Sequence, residues 1–422
     1  CLRGHRHQLL SHPQWPHVIK IIKKLKRAQH EAVLAGGCVR DKILGRPCKD
    51  FDIATSATPE AVKALFPNAN MIGAQFGVVM IPFGPGIHFE VASFRKDGLY
   101  VDGRRPESVE YSSMEEDAHR RDFTINALFY DPIQRRIYDF VDGQADIKSR
   151  IIRSVGAAQS RFEEDYLRVA RAIRFSSQLQ FRIEAETEAA VKSCAKGLQH
   201  VAAERKFQEV QKWLAGPGFK STLSLFFDSP LAEELLPNLD GLKWEDVSKD
   251  TYGWLAGPEK LSAEKLLSYL YWFQYQQPSL AYDKLDQDLN HLKSSNEFKQ
   301  RSLIPLAHAQ LVQSPEKNLW QALVELPRER LSKETFSLVK LFLKDDLPAS
   351  EKIDKHAELT RGNGAMPTPR WSAKDLLSRG MAPGPALGAT LKQVYIHQLQ
   401  SPTASEDELL EVAITAYRSA SQ

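Results

Sequence analysis

Cysteine is scarce: four residues in 422 (Cys1, Cys38, Cys48 and Cys194), with no CxxC pair among them. This excludes a disulfide scaffold and a thiolate zinc site and fits a reducing compartment. Long apolar runs are missing too, none approaching the roughly 18 residues that span a bilayer. The first thirty residues lack the apolar block and small-residue cleavage site of a secretory signal, so the expected location is cytoplasmic with no membrane partner. A chain that opens on Cys1 instead of Met reads as trimmed or partial at its N-terminus. Charge of one sign is not in excess: 56 Lys plus Arg against 53 Asp plus Glu leaves +3. A nucleic-acid partner would therefore have to be held by a local patch. Neither GxGxxG nor the phosphate-loop pattern GxxxxGK[ST] occurs, which removes the dinucleotide-cofactor and P-loop ATPase classes. There is no internal repeat and no low-complexity tract.

What remains is an ordinary globular mixture, 42% hydrophobic, 26% charged and 9% aromatic, with room for two to four domains. Residues 18 to 30 carry Val18, Ile21, Ile22 and Leu25 at helical spacing with lysines between them. That pattern predicts an amphipathic surface helix whose basic side is solvated, with RNA contact as the alternative. EAVLAGG reads as a short buried strand ending in a glycine turn, CVRDKILG as the helix after it, and DFDIAT (50 to 55) as a second strand. TPEAVKALF is a helix opened by Thr58 with Pro59 in its first turn. FGVVMIPF and GIHFEVASFR are β-rich, the second alternating as a half-buried strand. After Arg153 the pattern turns helical, with breaks near Gly216, Pro258, Pro278 and Pro348, and RGNGAMPTPR (361 to 370) is the clearest linker.

The most informative stretch is LAGGCVRDKILGRPCKDFDIAT. Two glycines between a strand and a helix let backbone N–H groups approach a triphosphate at a helix N-terminus. On the next strand Asp50 and Asp52 alternate with Phe51, so the two carboxylates would share a face while Phe51 turns into the core. Paired carboxylates beside a phosphate site suit Mg²⁺. Glu90, in HFEVASF, supplies a third acid for a two-metal phosphoryl transfer. A lone DxD would read as the solvated end of a strand; the glycines upstream reverse that reading.

On these residues the sequence resembles the class II nucleotidyltransferases of the DNA polymerase β superfamily, which comprise bacterial tRNA CCA-adding enzymes and bacterial poly(A) polymerases. GGCVRDKILG followed by DFDIAT is similar to their first motif. The resemblance implies Asp50 and Asp52 as metal ligands, with Gly36, Gly37, Arg40 and Asp41 forming the phosphate and sugar site around them. RRDFTINAL (120 to 128) is similar to the second motif and implies contacts from Arg121, Asp122 and Asn126 to ribose and triphosphate. An Asp and an Asn beside a sugar can pair with the 2′-hydroxyl that separates ribo- from deoxyribonucleotides. The fold implied is α+β: a polymerase β-like head with a small mixed sheet, followed by an all-helical neck, body and tail. The expected segments are 1–30 (N-terminal helix), 31–150 (head), 151–215 (neck), 216–360 (body) and 361–422 (tail).

EEDYLRVARAIRF (163 to 175) reads as one helix with Tyr166, Val169, Ala170 and Ile173 on one face and Asp165, Arg168 and Arg171 as a ladder at i, i+3, i+6 on another. By itself such a ladder is a solvated row worth about 0.3 to 0.5 kcal/mol per pair. EDxxR is the family's fourth motif, however, and implies that Asp165 and Arg168, with Glu164 before them, act as an amino-acid template for the incoming base. Arg offers donors and Asp acceptors, an array that fits cytosine or adenine and leaves buried groups unpaired against uracil or guanine. Glu204, Arg205 and Glu209 in AERKFQE resemble the family's ERxxxE motif and are expected to brace the neck.

Between Glu90 and the second motif, RKDGLYVDGRRPESVEYSSMEEDAHRR reads as a mobile, solvated loop. The family's CCA-adding members have a flexible loop at this place and CC-only members lack it, which argues against a CC-only enzyme. KDLLSRGMAPGPALGATLKQV (374 to 394) is similar to a tail segment of many CCA-adding enzymes. CKDFD, in contrast, resembles the PKDFD of poly(A) polymerases. No His-Asp dipeptide occurs, so the fused HD phosphohydrolase domain of some members is not expected. The resemblance thus implies an Mg²⁺-dependent enzyme adding C and A, or only A, to tRNA from CTP and ATP, with tRNA as partner and no protein partner. A template-independent poly(A) polymerase is the alternative within the family. A non-catalytic RNA-binding protein is the alternative outside it.

Overall fold

The computed structural model describes residues 12–48, 50–71, 77–97, 109–248, 261–313, 333–343, 346, 348–349, 353–354 and 367–421. Contacts group the chain into two compact units, Cys1–Thr251 and Tyr252–Gln422. Among the described residues no helix is long and apolar enough to cross a membrane.

The first unit opens with α1 (Trp15–Arg27), which starts earlier than the periodicity predicts because Pro16 presets the first turn. Val18, Ile21, Ile22 and Leu25 are fully buried, each contributing about 2 kcal/mol of apolar burial. Much of the lysine stripe is not free for RNA. Lys26 pairs with Asp131 at 2.5 Å, and the Lys24 and Lys20 ammonium groups lie 4.7 and 5.9 Å from the ring centres of Phe66 and Phe83. Then follow β1 (Ala32–Ala35), α2 (Gly37–Leu44), β2 (Ile53–Thr55), α3 (Pro59–Leu65), β3 (Val78–Pro82) and β4 (His88–Ser93). As the sequence suggests, Thr58 caps α3 by accepting from the Ala61 N–H, and β4 alternates exposed and buried residues up to Val91.

A small β-ribbon, β5 (Arg95–Asp97) with β6 (Val109–Tyr111), leads to α4 (Met114–His119), a 3₁₀ turn at Thr124–Asn126, β7 (Leu128–Asp131), β8 (Arg136–Asp139) and α5 (Gly143–Ser149). The expected solvated loop over 95–121 is therefore corrected at both ends. Arg95 pairs with Tyr111 and Asp97 with Val109, and Ser113 with Glu116 forms a capping box that starts α4. Residues 98–108, where mobility was expected, lie outside the described residues, as do 361–366 of the expected linker.

The six-stranded sheet runs β3-β4-β2-β1-β7-β8. β1 is antiparallel to β2 and β7, and β2 is parallel to β4 with Ile53 opposite Val91. This register sets Asp52 level with Glu90 on one face, since side chains in paired positions point the same way. DFD itself precedes β2, although the Ala35 N–H donates to the Asp52 carbonyl at 3.0 Å and extends the pairing one rung. Phe51 is buried as expected, its ring near those of His12 and Trp15.

Beyond the sheet lie α6 (Ala158–Glu164), α7 (Leu167–Leu179), α8 (Ala185–Cys194) and α9 (Ala203–Leu214). One helix was expected where α6 and α7 stand. The chain breaks at Asp165, whose backbone is extended at φ −147°, ψ 101°, and whose Oδ1 accepts from the Leu167 N–H at 3.1 Å. An Asp that caps the next helix gains more there than in a helix interior. α7 is buried almost all round, so it is a central strut and not an amphipathic surface helix.

The second unit packs α10 (Ala263–Tyr275), α11 (Pro278–His291), α12 (Asn296–Gln313) and α13 (Lys333–Phe342), with a buried hydrogen bond from the Tyr271 hydroxyl to Asp288. Its last segment is α14 (Ala373–Ser378), α15 (Pro385–Gln400) and α16 (Glu406–Ala420) around Trp371, Leu376 and Leu409.

Candidate active site

A cavity of about 470 Å³ opens in the first unit between the glycine turn and the N-terminal end of α7. Gly36 makes the turn at φ +72°, a conformation open to glycine and strained for other residues. A Cβ there would stand 3.2 Å from Arg121 Nη1 and 3.9 Å from Asp52 Oδ2, so the missing side chain lets backbone pass between a cation and an acid. Gly37 begins α2, whose first turn has no acidic residue. Free N–H groups and the helix dipole therefore favour an anion here.

Arg40 is buried, donating to Asn126 Oδ1 at 2.6 Å and to Asp41 at 2.9 Å. Asn126 donates onward to Asp122 Oδ1 at 3.2 Å, and Asp122 Oδ2 accepts from Arg171 Nε and Nη2 at 2.8 and 2.5 Å. Burial alone would raise the Asp122 carboxyl, but the Arg171 charge, its hydrogen bonds and the Phe123 N–H bring it down to about 2. Arg171 lies 4.0 Å from Glu209, which pairs with Arg174 at 2.6 Å. Desolvation lowers the Arg174 guanidinium to about 10 in spite of that partner.

Arg168 is also buried, and its partner differs from the expected ladder: it pairs with Glu164 at 2.7 Å and not with Asp165. Nη1 donates further to the Arg161 carbonyl at 2.8 Å, and Nη2 to the Arg120 carbonyl at 3.3 Å. Asp165 instead accepts from Arg205 at 3.0 Å. The ladder is thus three separate pairs, because the break at Asp165 removes the helical register that would join them. Asp165 and Arg168 still line the same cavity.

Of the expected residues, Gly36, Gly37, Arg40, Asp52, Arg121, Asp122, Asn126, Asp165, Arg168 and Arg171 line this one space. Asp41, Asp50, Glu90 and Glu164 do not; Asp41 and Glu164 stand behind Arg40 and Arg168. Asp50 and Glu90 act on the lining residue Asp52 through their charge. Asp52 is open to solvent on one side, and its carboxyl rises above the ordinary range through desolvation in the cleft and then the charge of Glu90, with Asp50 adding and Arg121 opposing. A divalent cation relieves a carboxyl raised in this way, and Asp50, Asp52 and Glu90 all offer the hard oxygens such an ion takes. Among the described residues no three His, Cys, Asp or Glu side chains already close on one point, so these acids form an open set.

Sequence reasoning missed four lining residues: Arg120, Leu167, Arg174 and Phe175. Arg174 was signalled, since it continues the spacing 165, 168, 171 by one more step. Phe175 lies beneath the guanidinium groups of Arg174, Arg171 and Arg40 at 3.9, 5.2 and 5.4 Å. Arg205 was expected only to brace and lines the cavity as well, while Glu204 is exposed and outside it. In total the lining carries seven arginines against three aspartates, the charge of a polyanion site.

Residues 32–153 match the family model described as the poly A polymerase head domain, and residues 180–242 match the probable RNA and SrmB-binding site of polymerase A. The CCA-adding enzyme of Lactobacillus delbrueckii subsp. bulgaricus is 34% identical over 93% of this chain and 96% of its own length. That of Geobacillus thermodenitrificans is 42% identical over 250 residues, and in that alignment the chain spans 61% of the relative. Among solved structures, the Bacillus stearothermophilus CCA-adding enzyme in complex with CTP superposes at a TM-score of 0.71, with 30% identity over 97% of this chain and all of that one. With the glycine turn, the second motif and the Asp165–Arg168 segment meeting in one cavity, and with this likeness along nearly the whole length, the chain belongs to the CCA-adding enzyme family of class II nucleotidyltransferases.

Proposed function

We propose that this protein is a tRNA nucleotidyltransferase that adds C and A, or the terminal A alone, to the tRNA 3′ end from CTP and ATP, acting in the cytoplasm. The observation that carries this reading is the one cavity in which the α2 N-terminus, Asp122 with Asn126, and Asp165 with Arg168 converge. The α2 N-terminus, Arg40 and Arg121 bind the triphosphate. Asp122 and Asn126 orient the ribose. Arg168 keeps its Nε–H and one Nη2–H beyond the contacts described above, and Asp165 keeps spare lone pairs, so the two present the donor–acceptor edge that cytosine and adenine complete.

The tRNA 3′-hydroxyl attacks the α-phosphate and pyrophosphate leaves. Asp50, Asp52 and Glu90 would hold Mg²⁺, which supplies charge neutralisation on the transferring phosphoryl group. Asp165 is held by Arg205, and Arg168 by Glu164 and two carbonyls, so the template is preorganised before a nucleotide arrives.

The test is sequencing of the product made from tRNA lacking CCA, from CC-ended tRNA and from an unrelated RNA, with CTP and ATP present. Addition that stops after the terminal A on tRNA alone supports the proposal. Long A tails on any RNA would assign a poly(A) polymerase, and no pyrophosphate release would assign a non-catalytic RNA-binding protein.

A further inference from the structure

Behind the cavity wall lies a carboxylate with no place in the lining and no part in the scheme above. Asp117, on α4, is 1% exposed. Its Oδ2 accepts from Arg121 Nε and Nη2 at 3.1 and 2.8 Å, a two-pronged grip on one edge of that guanidinium. Oδ1 accepts from Arg120 Nε at 2.9 Å and from the backbone N–H of Arg95 at 3.3 Å. With its Nε and Nη2 on Asp117, Arg121 turns Nη1 to the glycine turn, where it donates to the Asn126 carbonyl at 3.4 Å and borders Gly36. The Phe129 ring, 5.0 Å from the guanidinium carbon, fixes the plane from below.

Arg95 is the first residue of β5, at the root of the β5–β6 ribbon. The Arg120 carbonyl, from the segment that Asp117 anchors, is one of the acceptors that hold Arg168. One buried carboxylate thus joins the ribbon root, the arginine beside the glycine turn and the backbone beneath the base-reading arginine. Burial opposes its charge, yet Arg121 and Arg120 hold the carboxyl below the ordinary range, so it remains ionised in this role at neutral pH.

We infer that Asp117 is a positioning residue that aims Arg121 at the nucleotide triphosphate and ties that aim to the root of the β5–β6 ribbon. The inference rests on the reading of this cavity as a nucleoside triphosphate site. The two-pronged grip makes the aim a property of the protein before ligand arrives.

Calorimetric binding of CTP and of cytidine to the full chain, in the wild type, Asp117→Asn and Asp117→Glu, tests this. Asp117→Asn keeps an acceptor for Arg95 but turns an amide and no charge toward the arginines. CTP affinity should fall at least tenfold while cytidine affinity stays within twofold, and KM for CTP should rise by the same factor with the ratio of correct to incorrect nucleotide unchanged. Asp117→Glu, which keeps the charge, should recover part of the loss, and it carries the same comparison if the Asn variant does not fold. Asp117→Asn in an Arg121→Ala background should weaken CTP little further. Unchanged CTP affinity in a folded Asp117 variant, or equal loss for CTP and cytidine, would overturn the positioning role. A wild type that binds CTP no better than cytidine would overturn the triphosphate reading itself, and the inference with it.

Discussion

Replacing Asp122 by Asn removes the buried charge that joins the second motif to α7. In the wild type the Arg171 charge holds this carboxyl at about 2, below its ordinary 3.8, which corresponds to about 2 kcal/mol of stability. Because the folded value is the lower one, this contribution is complete above the unfolded value and disappears as pH falls through the folded value. About 2 kcal/mol should therefore be lost between pH 5 and pH 2 in the wild type and not in Asp122→Asn. At pH 7 the variant also takes the charged partner from the half-buried Arg171 guanidinium, which keeps Glu209 at 4.0 Å and the charge of Asp165. The variant should thus be clearly weaker at pH 7, with the gap to wild type narrowing by about 2 kcal/mol toward pH 2. Urea unfolding across this range, with amide exchange in α7 reporting the unit that holds the pair, measures both quantities. Acid limbs that fall in parallel for the two proteins would refute the assignment of this linkage to Asp122.

Two further outcomes follow from the cavity. Gly36→Ala forces a Cβ at positive φ to within 3.2 Å of Arg121 Nη1. It should cost about 1 kcal/mol of stability and raise KM for both CTP and ATP, and steady-state kinetics that match wild type would show that the turn does not hold the triphosphate. Asp52→Ala should lower turnover at least a hundredfold for every nucleotide while circular dichroism and melting stay near wild type, since the proposed metal ligand would stabilise transition-state charge worth several kcal/mol. Turnover above a tenth of wild type would remove Asp52 from the reaction centre.

Much of the head was legible because its signals are local. Thr58-Pro59 opens α3, Gly36 ends β1, and the alternation in HFEVAS sets β4, each within a window of a few residues. The second motif was legible as a motif, but not its geometry: Asp122 meets Arg171 across 49 positions and Arg40 meets Asn126 across 86, distances at which periodicity carries no information. The break before α7 was hidden for a different reason. Apolar spacing runs on through EEDYLRVARAIRF, and only the capping preference of Asp165 distinguishes a helix start from a helix interior. Misplacing that break made a ladder of three residues that in the fold answer to Glu164, Arg205 and Asp122. The ribbon at 95–97 and 109–111 escaped notice because two three-residue strands leave almost no pattern beside a glycine- and charge-rich stretch.

Base selection by the protein is the claim on which the rest depends, and nucleotide incorporation at the tRNA 3′ end with all four nucleotides competing measures it most directly. For the wild type, C and A should be incorporated to the near exclusion of U and G. Arg168→Ala, which deletes the donor fork but leaves Asp52, Arg121 and the glycine turn in place, should admit U and G while retaining phosphoryl transfer. An unchanged preference for C and A in the Arg168→Ala enzyme would contradict the account, because the base would then be chosen by something other than the start of α7.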